Sequence, residues 1–448
     1  MLNQVTIPTS PSPLLAGLND EQREVVLHYR GPLLVLAGAG AGKTRTLTVR
    51  LAYLVRERGV DPSSILAVTF TNKAADEMRQ RIAALLGQNV GGMWLGTFHS
   101  FGAWLLRQYA MRLGLSTRFT ILDTDDSLKA IKRVMERLGI KPQDIDPKDV
   151  RAQISKAKNG LLDADAVADR AKLLNDRYYY DVARIYAAYQ QELREQNALD
   201  FDDLLVFPVE LFEKNTDILE RVQRRFQFIT IDEYQDTNHA QLELTKLLAS
   251  AHGNLVVVGD PDQSIYAFRG ADITNILNFE RAFPGARTIR LERNYRSTGF
   301  ILDAANAVIK NNTARKEKVL RPTREPGEKI KVVAVPTDFD EAQWLVHQVE
   351  RELAEGRSLS DLTVLYRTNA QSRLLEEAFR RQGIPYQIVG GLTFYERREV
   401  KDVLAYLHLI ANPADRGAFE RCVNYPRRGI GQSAQDRLFV WAREQGLP

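Results

Sequence analysis

Leu33-Leu34-Val35-Leu36-Ala37-Gly38-Ala39-Gly40-Ala41-Gly42-Lys43-Thr44-Arg45-Thr46 is the stretch on which the reading of the whole chain turns. Its four leading apolar residues fit a strand buried on both faces, as in a parallel sheet. The Gly/Ala run that follows can turn tightly and bring backbone N–H groups close to an anion. Lys43 adds a cation and Thr44 a hydroxyl suited to Mg²⁺. From Thr44 the chain opens a helix whose N-terminus favours phosphate. The pattern is that of a phosphate-binding loop, G-x-x-x-x-G-K-[ST], with Ala37 in place of its first glycine and Gly42-Lys43-Thr44 matching. Ala37 through Arg45 are the candidate phosphate contacts. A bland Gly/Ala turn would not require strand, loop, Lys-Thr and helix in this order.

Outward from that loop, composition bounds the problem. The chain has 448 residues, 44% of them hydrophobic and 26% charged, as in soluble globular proteins of about two to four domains. No apolar run is long enough to span a bilayer, and the N-terminus lacks a secretion pattern. Cys422 is the only cysteine, which excludes an intrachain disulfide and a multi-cysteine metal site and fits a reducing cytoplasm. A net charge of +4 permits a nucleic-acid partner without arguing for one.

Residues 1–16, with three prolines, read as a mobile leader. Asn19 and Gln22 have capping-box spacing at a helix start; Gln22 fits either that cap or an amide reading an adenine edge, and the local pattern favours the cap. After the loop helix come a strand at Ile65–Phe70, a helix from Thr71 and a third strand from Met93 running into a turn at Ser100. This alternation predicts a parallel α/β sheet. Phe70 and Asn72 fall at a strand end, where such sheets place ligands. Thr97 and His99 are the polar residues at the third strand's end; Phe98 and Trp104 read as core. From Asp123 to Gln196 the spacing is helical throughout, predicting an all-helical insertion whose lysines, Lys158 among them, mostly face solvent, some meeting phosphates. Strands return at Phe226–Ile231, Leu255–Val258 and Thr288–Leu291. Beyond Pro322–Gly327, a second α/β run is expected: strands at Ile330–Val335, Leu362–Tyr366 and Tyr386–Val389, separated by helices.

Nucleotide hydrolysis requires a phosphate cradle, a metal anchor, a group to orient water and positive charge on the γ-phosphate. Asp232, at a strand end, can hold Mg²⁺, and Glu233 can polarise the attacking water. Gln263 could sense the γ-phosphate, Arg296 could stabilise charge on the transferring group, and Tyr295 could stack on a base. Lys43 and Asp232 lie 189 positions apart (232 minus 43), so one site shared between them requires the helical insertion to loop out. Phe70 with Asn72 and Lys73, and Tyr266 and Phe268 with Arg269, mix aromatic and polar groups as single-stranded nucleic-acid sites do, although aromatics near strand ends are more often core.

These residues bring a family into view. Gln22, Ala37 to Thr44, Val68 to Ala75, Gly96-Thr97-Phe98-His99-Ser100, Asp232-Glu233-Tyr234-Gln235-Asp236, Gly259 to Tyr266 and Asn294-Tyr295-Arg296-Ser297-Thr298 resemble the ordered motifs of superfamily 1 helicases of the UvrD/PcrA/Rep group, with bacterial UvrD the nearest pattern. Phe394 to Glu399 and Pro426 to Gly431 also resemble that group. The resemblance implies two RecA-like motor domains, each with a helical insertion, ATP in a cleft between them, and 3′→5′ movement on single-stranded DNA driven by Mg-ATP. On this resemblance Gln22 reads adenine and Tyr295 stacks on it. Lys43, Gln263 and Arg296 contact phosphates, Thr44 and Asp232 hold Mg²⁺, and Glu233 is the base. Phe70, Asn72, Thr97, His99, Tyr266, Phe268 and Arg269 line the DNA path.

Two departures shape the expectation. Phe268 stands where relatives often carry Trp, and the family's last two motifs, with a second γ-phosphate arginine, are absent. The expected organisation is therefore a first RecA-like domain (17–118 and 200–297), its helical insertion (119–199), part of a second RecA-like domain (298–393) and the start of a second insertion (394–448). The chain would be the N-terminal part of a longer cytoplasmic helicase serving DNA repair or replication at single-strand/duplex junctions, recruited by repair proteins, and by itself a poor ATPase. The alternatives are a nucleotide-dependent DNA-binding module without efficient turnover and, less well matched, a small-molecule P-loop kinase.

Overall fold

The structure, a computed structural model, describes residues 12–87, 91–313, 315–389 and 398–445. It divides into two units, one of residues up to Glu328 together with those from Leu404 onward, the other Lys329–Val403.

The first unit begins with α1 (Asp20–Leu27), β1 (Leu33–Ala37), α2 (Lys43–Arg56), β2 (Ile65–Thr69), α3 (Asn72–Leu86), β3 (Trp94–Thr97) and α4 (Phe98–Tyr109). The chain then leaves for the insertion through β4 (Thr120–Ile121), runs through α5 (Thr124–Arg137), α6 (Pro147–Asn159), α7 (Ala164–Leu174) and α8 (Arg177–Glu195), and returns through β5 (Ala198–Leu199). α9 (Asp203–Lys214), α10 (Thr216–Arg225), β6 (Phe228–Ile231), α11 (His239–Ala249), β7 (Leu255–Gly259), the short α12 (Thr274–Leu277) and α13 (Phe279–Ala282), and β8 (Arg287–Leu291) complete the domain. Six strands form one sheet in the order β3-β2-β6-β7-β1-β8, every pair parallel.

Strand alternation explains why both faces are covered. Leu34, Leu36, Leu66, Val68, Ile229 and Ile231 pack with Phe101, Phe212 and Leu244 from α4, α9 and α11. Their neighbours Leu33, Val35, Ile65 and Ala67 point the other way, against Leu47 and Leu51 of α2 and Met78 and Ile82 of α3. A strand whose successive side chains all find apolar partners reads as a continuous hydrophobic run. That is why β1, β2 and β7 are legible in the sequence.

The insertion departs from the all-helical expectation at its neck, where β4 and β5 pair in parallel, Thr120 with Ala198 and Ile121 with Leu199. Lys158 also departs from expectation. It is fully buried, its Nζ 2.6 Å from Asp200 Oδ2 and 2.8 Å from Asp203 Oδ1. Burial alone would lower its pKa, but Asp200 and Asp203 more than offset that and hold it above the ordinary lysine value. Helical spacing places this lysine on α6 but cannot show that the last turn of α6 lies on α9.

After β8 come β9 (Arg293–Asn294), α14 (Gly299–Ile309) and β10 (Arg321–Pro322), with β9 and β10 paired in parallel. In the second unit, α15 (Asp338–Ala354) and α16 (Ser372–Arg381) meet through Ala342, Val346 and Ala378. The expected strands at Ile330–Val335, Leu362–Tyr366 and Tyr386–Val389 are not formed; Val332, Leu365 and Val389 are largely exposed. Apolar runs supply one face of a strand, but a strand exists only through a partner's backbone hydrogen bonds, and among the described residues these runs pair with no neighbouring strand. The motif-like Phe394-Tyr395-Glu396-Arg397 and the residues 1–11 of the expected leader lie outside the described residues. Pro13–Leu15 form a 3₁₀ turn capped by Ser12.

α17 (Arg398–Ala411), α18 (Arg416–Cys422) and α19 (Gln432–Glu444) end the chain. From Leu404 onward they belong to the first unit and dock on the insertion. Asn412 Nδ2 donates to the carbonyls of Gln196 and Asn197 at 3.0 and 3.1 Å, and Arg133 Nη1 to Glu420 Oε2 at 3.0 Å.

Replacing Lys158 by alanine would leave two carboxylates buried without their cation. Removal of one partner of such a pair costs about 3–5 kcal/mol; urea unfolding of Lys158→Ala is expected to show a loss of that order.

Candidate functional site

The loop between β1 and α2 takes its shape from two glycines with positive φ, Gly40 at 67° and Gly42 at 81°. Space as well as conformation requires glycine here. A Cβ at Gly40 would fall 2.7 Å from Asn294 Nδ2, and one at Gly42 2.7 Å from Gln22 Nε2. The loop is therefore held from both sides. Gln22 accepts from the Asn19 backbone N–H at 3.2 Å and donates to the Ala41 carbonyl at 3.0 Å, so it is at once a capping residue and a brace on the loop. From the other side, Asn294 donates to the Ala39 carbonyl at 2.6 Å, and the Tyr295 N–H donates to the Gly40 carbonyl at 2.9 Å.

These two bonds stitch the segment after β8 to the loop. Asn294 also accepts from the Arg296 and Ser297 N–H groups, both at 2.8 Å. Asn294 has no role in the reading of the sequence, because a positioning amide has no signature apart from its partners.

The carboxylates arrive on β6. Lys43 Nζ lies 3.0 Å from Glu233 Oε2, joining two residues 190 positions apart. Glu233 has φ 50° and ψ 45°, a left-handed conformation that costs a non-glycine residue about 1 kcal/mol and turns its side chain back towards the loop. Gln235, another residue without a role in the sequence reading, donates to Glu233 Oε2 at 3.0 Å and accepts from the Asp260 N–H at 2.9 Å. It thereby ties the ends of β6 and β7 together. Burial, and then the Glu233 charge, push the Asp232 carboxyl up to about 6, against the opposing pull of Lys43. The same two causes raise Asp236 to about 6. A crowded, desolvated acidic pair favours a cation.

The residues present fit Mg-nucleotide. The donor set, the Thr44 hydroxyl and the Asp232 carboxylate, is hard oxygen. Among the described residues no cluster of three or more His, Cys, Asp or Glu forms a cage; Mg²⁺ commonly takes one or two protein oxygens together with phosphates and water. Tyr295 is partly exposed beside α1, its hydroxyl accepting from Asn19 Nδ2 at 2.9 Å. Arg45 and Arg296 are exposed. Gln263 donates to Asp260 Oδ2 at 2.6 Å.

The residues expected on a DNA path fall into two groups. Phe70 stacks on Tyr266, with centroids 5.0 Å apart, and Tyr266 lies 6.0 Å from Phe268. The Arg269 guanidinium covers both Tyr266 and Phe268, at 5.1 and 5.5 Å. Phe268 is 78% exposed, which core packing does not explain. In the second group the His99 ring stacks on Phe201 at 3.9 Å. Burial pushes His99 down to about 4, so at neutral pH it offers an uncharged ring. Phe201, 56% exposed, has no part in the sequence reading; it lies among acids and leucines just before α9. Thr97 has a local explanation: it caps α4, accepting from the Ser100 N–H at 3.2 Å. Asn72 is the exposed first residue of α3.

Comparisons with known proteins place the chain in a family. A model of the UvrD/REP helicase N-terminal domain matches residues 18–284, and one of the UvrD-like helicase C-terminal domain matches residues 289–447. The expectation of an incomplete second domain finds no support in that second match. A protein named ATP-dependent DNA helicase PcrA from Bacillus subtilis (strain 168) is 47% identical over 435 residues, covering 97% of this chain and 58% of the relative. Proteins of the same name from Staphylococcus aureus (strain Mu50) and Staphylococcus epidermidis are each 47% identical over 434 residues, 97% of this chain and 59% of theirs. The chain thus spans under two thirds of the length of these curated relatives. No helix among the described residues is long and apolar enough to cross a membrane.

His99 carries a pH signature. Unfolded, it takes up a proton below about 6.5; folded, it resists until about 4. The group therefore costs stability progressively as pH falls between those values. His99→Phe, which keeps a ring against Phe201, is expected to reduce the loss in unfolding free energy between pH 7.5 and pH 5 by about 1–2 kcal/mol, measured by urea unfolding at each pH.

Proposed function

The chain belongs to the UvrD/REP helicase family, and from that premise we propose that it carries the ATP-hydrolysing motor of a DNA helicase that moves 3′→5′ along single-stranded DNA. The observation that carries the proposal is the Lys43–Glu233 contact at 3.0 Å, which brings a phosphate-loop lysine and a strand-end carboxylate into one site across the whole insertion.

In this reading the loop amides and Lys43 bind the β- and γ-phosphates, while Gln22 and Tyr295 receive the adenine. Thr44 and Asp232 hold Mg²⁺, which when bound neutralises charge on the phosphates. Phosphate oxygens compete with Glu233 for Lys43, so triphosphate binding loosens the carboxylate from its ion pair and leaves it to accept a proton from the attacking water. The base is thus available only when the site is filled. Gln263 and Arg296 contact the γ-phosphate side, where positive charge and N–H donors stabilise the charge that develops in transfer.

The aromatic groups supply the DNA half. Phe70, Tyr266, Phe268 and His99 with Phe201 present ring faces on which bases stack, and Arg269 and Asn72 offer donors to the backbone. Stacking tolerates any sequence because every base has a π-face, which suits a motor that must pass over all of them. Single-strand/duplex junctions in repair or replication are the proposed working substrate, and the cytoplasm the proposed compartment.

Binding of a fluorescent ATP analogue to the 448-residue chain is expected to be lost in Lys43→Ala. Glu233→Gln is expected to keep that binding and to lower DNA-stimulated phosphate release by about 100-fold or more. Undiminished DNA-stimulated hydrolysis in Lys43→Ala would overturn the reading. Phe268→Ala should weaken binding to an oligo-dT strand by about 10-fold, the lower part of the range for one base–aromatic stack, as read by fluorescence anisotropy.

A further inference from the structure

Gln263 is held by a buried chain of charge that begins outside the central sheet. Its Nε2 donates to Asp260 Oδ2 at 2.6 Å, and Asp260 is only 2% exposed. The other oxygen of Asp260 accepts from Lys318 Nζ, which also bonds Asp262 Oδ2. The Lys318 side chain is as buried as that of Asp260. It comes from the stretch between α14 and β10, and two residues further on the Leu320 side chain fills the space that a Cβ on Gly38 of the phosphate loop would need. Arg315 braces the stretch from within, donating to the Lys318 carbonyl at 2.8 Å, and its Nε lies 3.4 Å from Asp262 Oδ1.

This arrangement controls which end of an amide faces which way. An ionised carboxylate only accepts hydrogen bonds, so Asp260 selects the Nε2 end of Gln263 and leaves the second N–H of that nitrogen to donate elsewhere. Two buried carboxylates side by side stay ionised only with cations beside them. Without Lys318, Asp262 keeps Arg315 but Asp260 loses the donor that fixes its carboxylate, which is then free to turn away from Gln263. The amide then turns, and an oxygen replaces the N–H that a phosphate oxygen requires.

We propose that Lys318 is a positioning residue for recognition of the γ-phosphate, acting through Asp260 to orient the Gln263 amide. The proposal rests on the reading of Gln263 as a γ-phosphate contact. It also gives the segment after α14 a part in nucleotide discrimination, since Lys318 and Leu320 reach Asp260 and Gly38 from one short stretch.

The test compares ADP with a non-hydrolysable ATP analogue, both bound to the full chain with Mg²⁺ and read by calorimetry as the ratio of their Kd values. The unmodified chain is expected to favour the triphosphate. Lys318→Met should cut that preference by about 10-fold, the value of one hydrogen bond to a charged group, with ADP affinity within about 2-fold of the unmodified chain. Gln263→Ala should lose the same preference, and the double variant should lose no more than either single one, as for residues acting through one contact. Lys318→Arg, which keeps the charge, should recover part of the preference. A structural role alone would weaken both nucleotides together. Should Lys318→Met fail to fold, Asp260→Asn tests the same link from its other side, because a neutral amide no longer selects the Nε2 end. Retention of the preference in whichever variant folds, or losses that multiply in the double variant, would overturn the proposal. If Lys43→Ala abolishes binding while Lys318→Met keeps the preference, only this inference fails; if Lys43→Ala binds normally, the reading of the site fails with it.

Discussion

Two positive φ angles, at Gly40 and Gly42, set the terms for everything around the phosphate loop. A backbone bent this way suits glycine, and the Asn294 and Gln22 side chains beside it occupy the space a Cβ would need. Its outward carbonyls must then be satisfied by something else. Gln22 and Asn294 supply the side-chain donors and Tyr295 the backbone one. The helix before the loop and the segment after β8 are thus drawn to the same few atoms, and the candidate adenine and phosphate contacts come together because the loop's backbone needs partners.

Among the buried charge clusters, two are resolved differently. At the neck of the insertion, Lys158 compensates Asp200 and Asp203 directly, and Tyr189 adds a hydroxyl at 3.1 Å from Asp200. That cluster is closed and fixes α6 against α8 and α9. At the end of β6, Lys43 meets Glu233 while Asp232 is left with a raised pKa. Each place thus keeps a carboxyl raised by burial and a neighbouring acid, Asp203 to about 7 and Asp232 to about 6; what differs is that the β6 pair lies against the phosphate-loop lysine. Asn159, next to Lys158, hydrogen-bonds Asn238 just beyond the β6 carboxylates, so the closed cluster and the open one are joined by a single amide pair.

Local features are legible in the sequence and relational ones are not. The strand β1, the loop and the start of α2 can be read because each depends on residues within a few positions: a continuous apolar run, glycines that permit positive φ, Lys-Thr at a helix start. The sheet's parallel character follows from alternating strands and helices. Asn294, Gln235 and Phe201 escape such a reading because their roles lie entirely in which neighbours they touch. Lys158 reads as a solvated charge because its helix gives a periodicity but no partner. The strands expected at residues 330–335, 362–366 and 386–389 fail for the same reason in reverse, since an apolar run specifies a face and not the edge that must pair with it. The resemblance to a helicase family carries the nucleotide and DNA assignments further than composition or spacing can, and Phe268, where that resemblance leads one to expect Trp, keeps an exposed ring.

The strand order has a consequence for how the chain is made. β1 lies between β7 and β8, and Leu33 pairs with Val256, 223 positions later (256 minus 33). On the ribosome, at about 5–20 residues per second, this fully buried strand waits on the order of ten seconds or more for its first neighbour. In that interval β2 and β3 can pair, being near in sequence, but their union offers β1 no place. The insertion emerges within the same interval with a core of its own, so it can fold while the sheet is still open. The phosphate loop, encoded near the beginning, is among the last parts of this domain to acquire its shape.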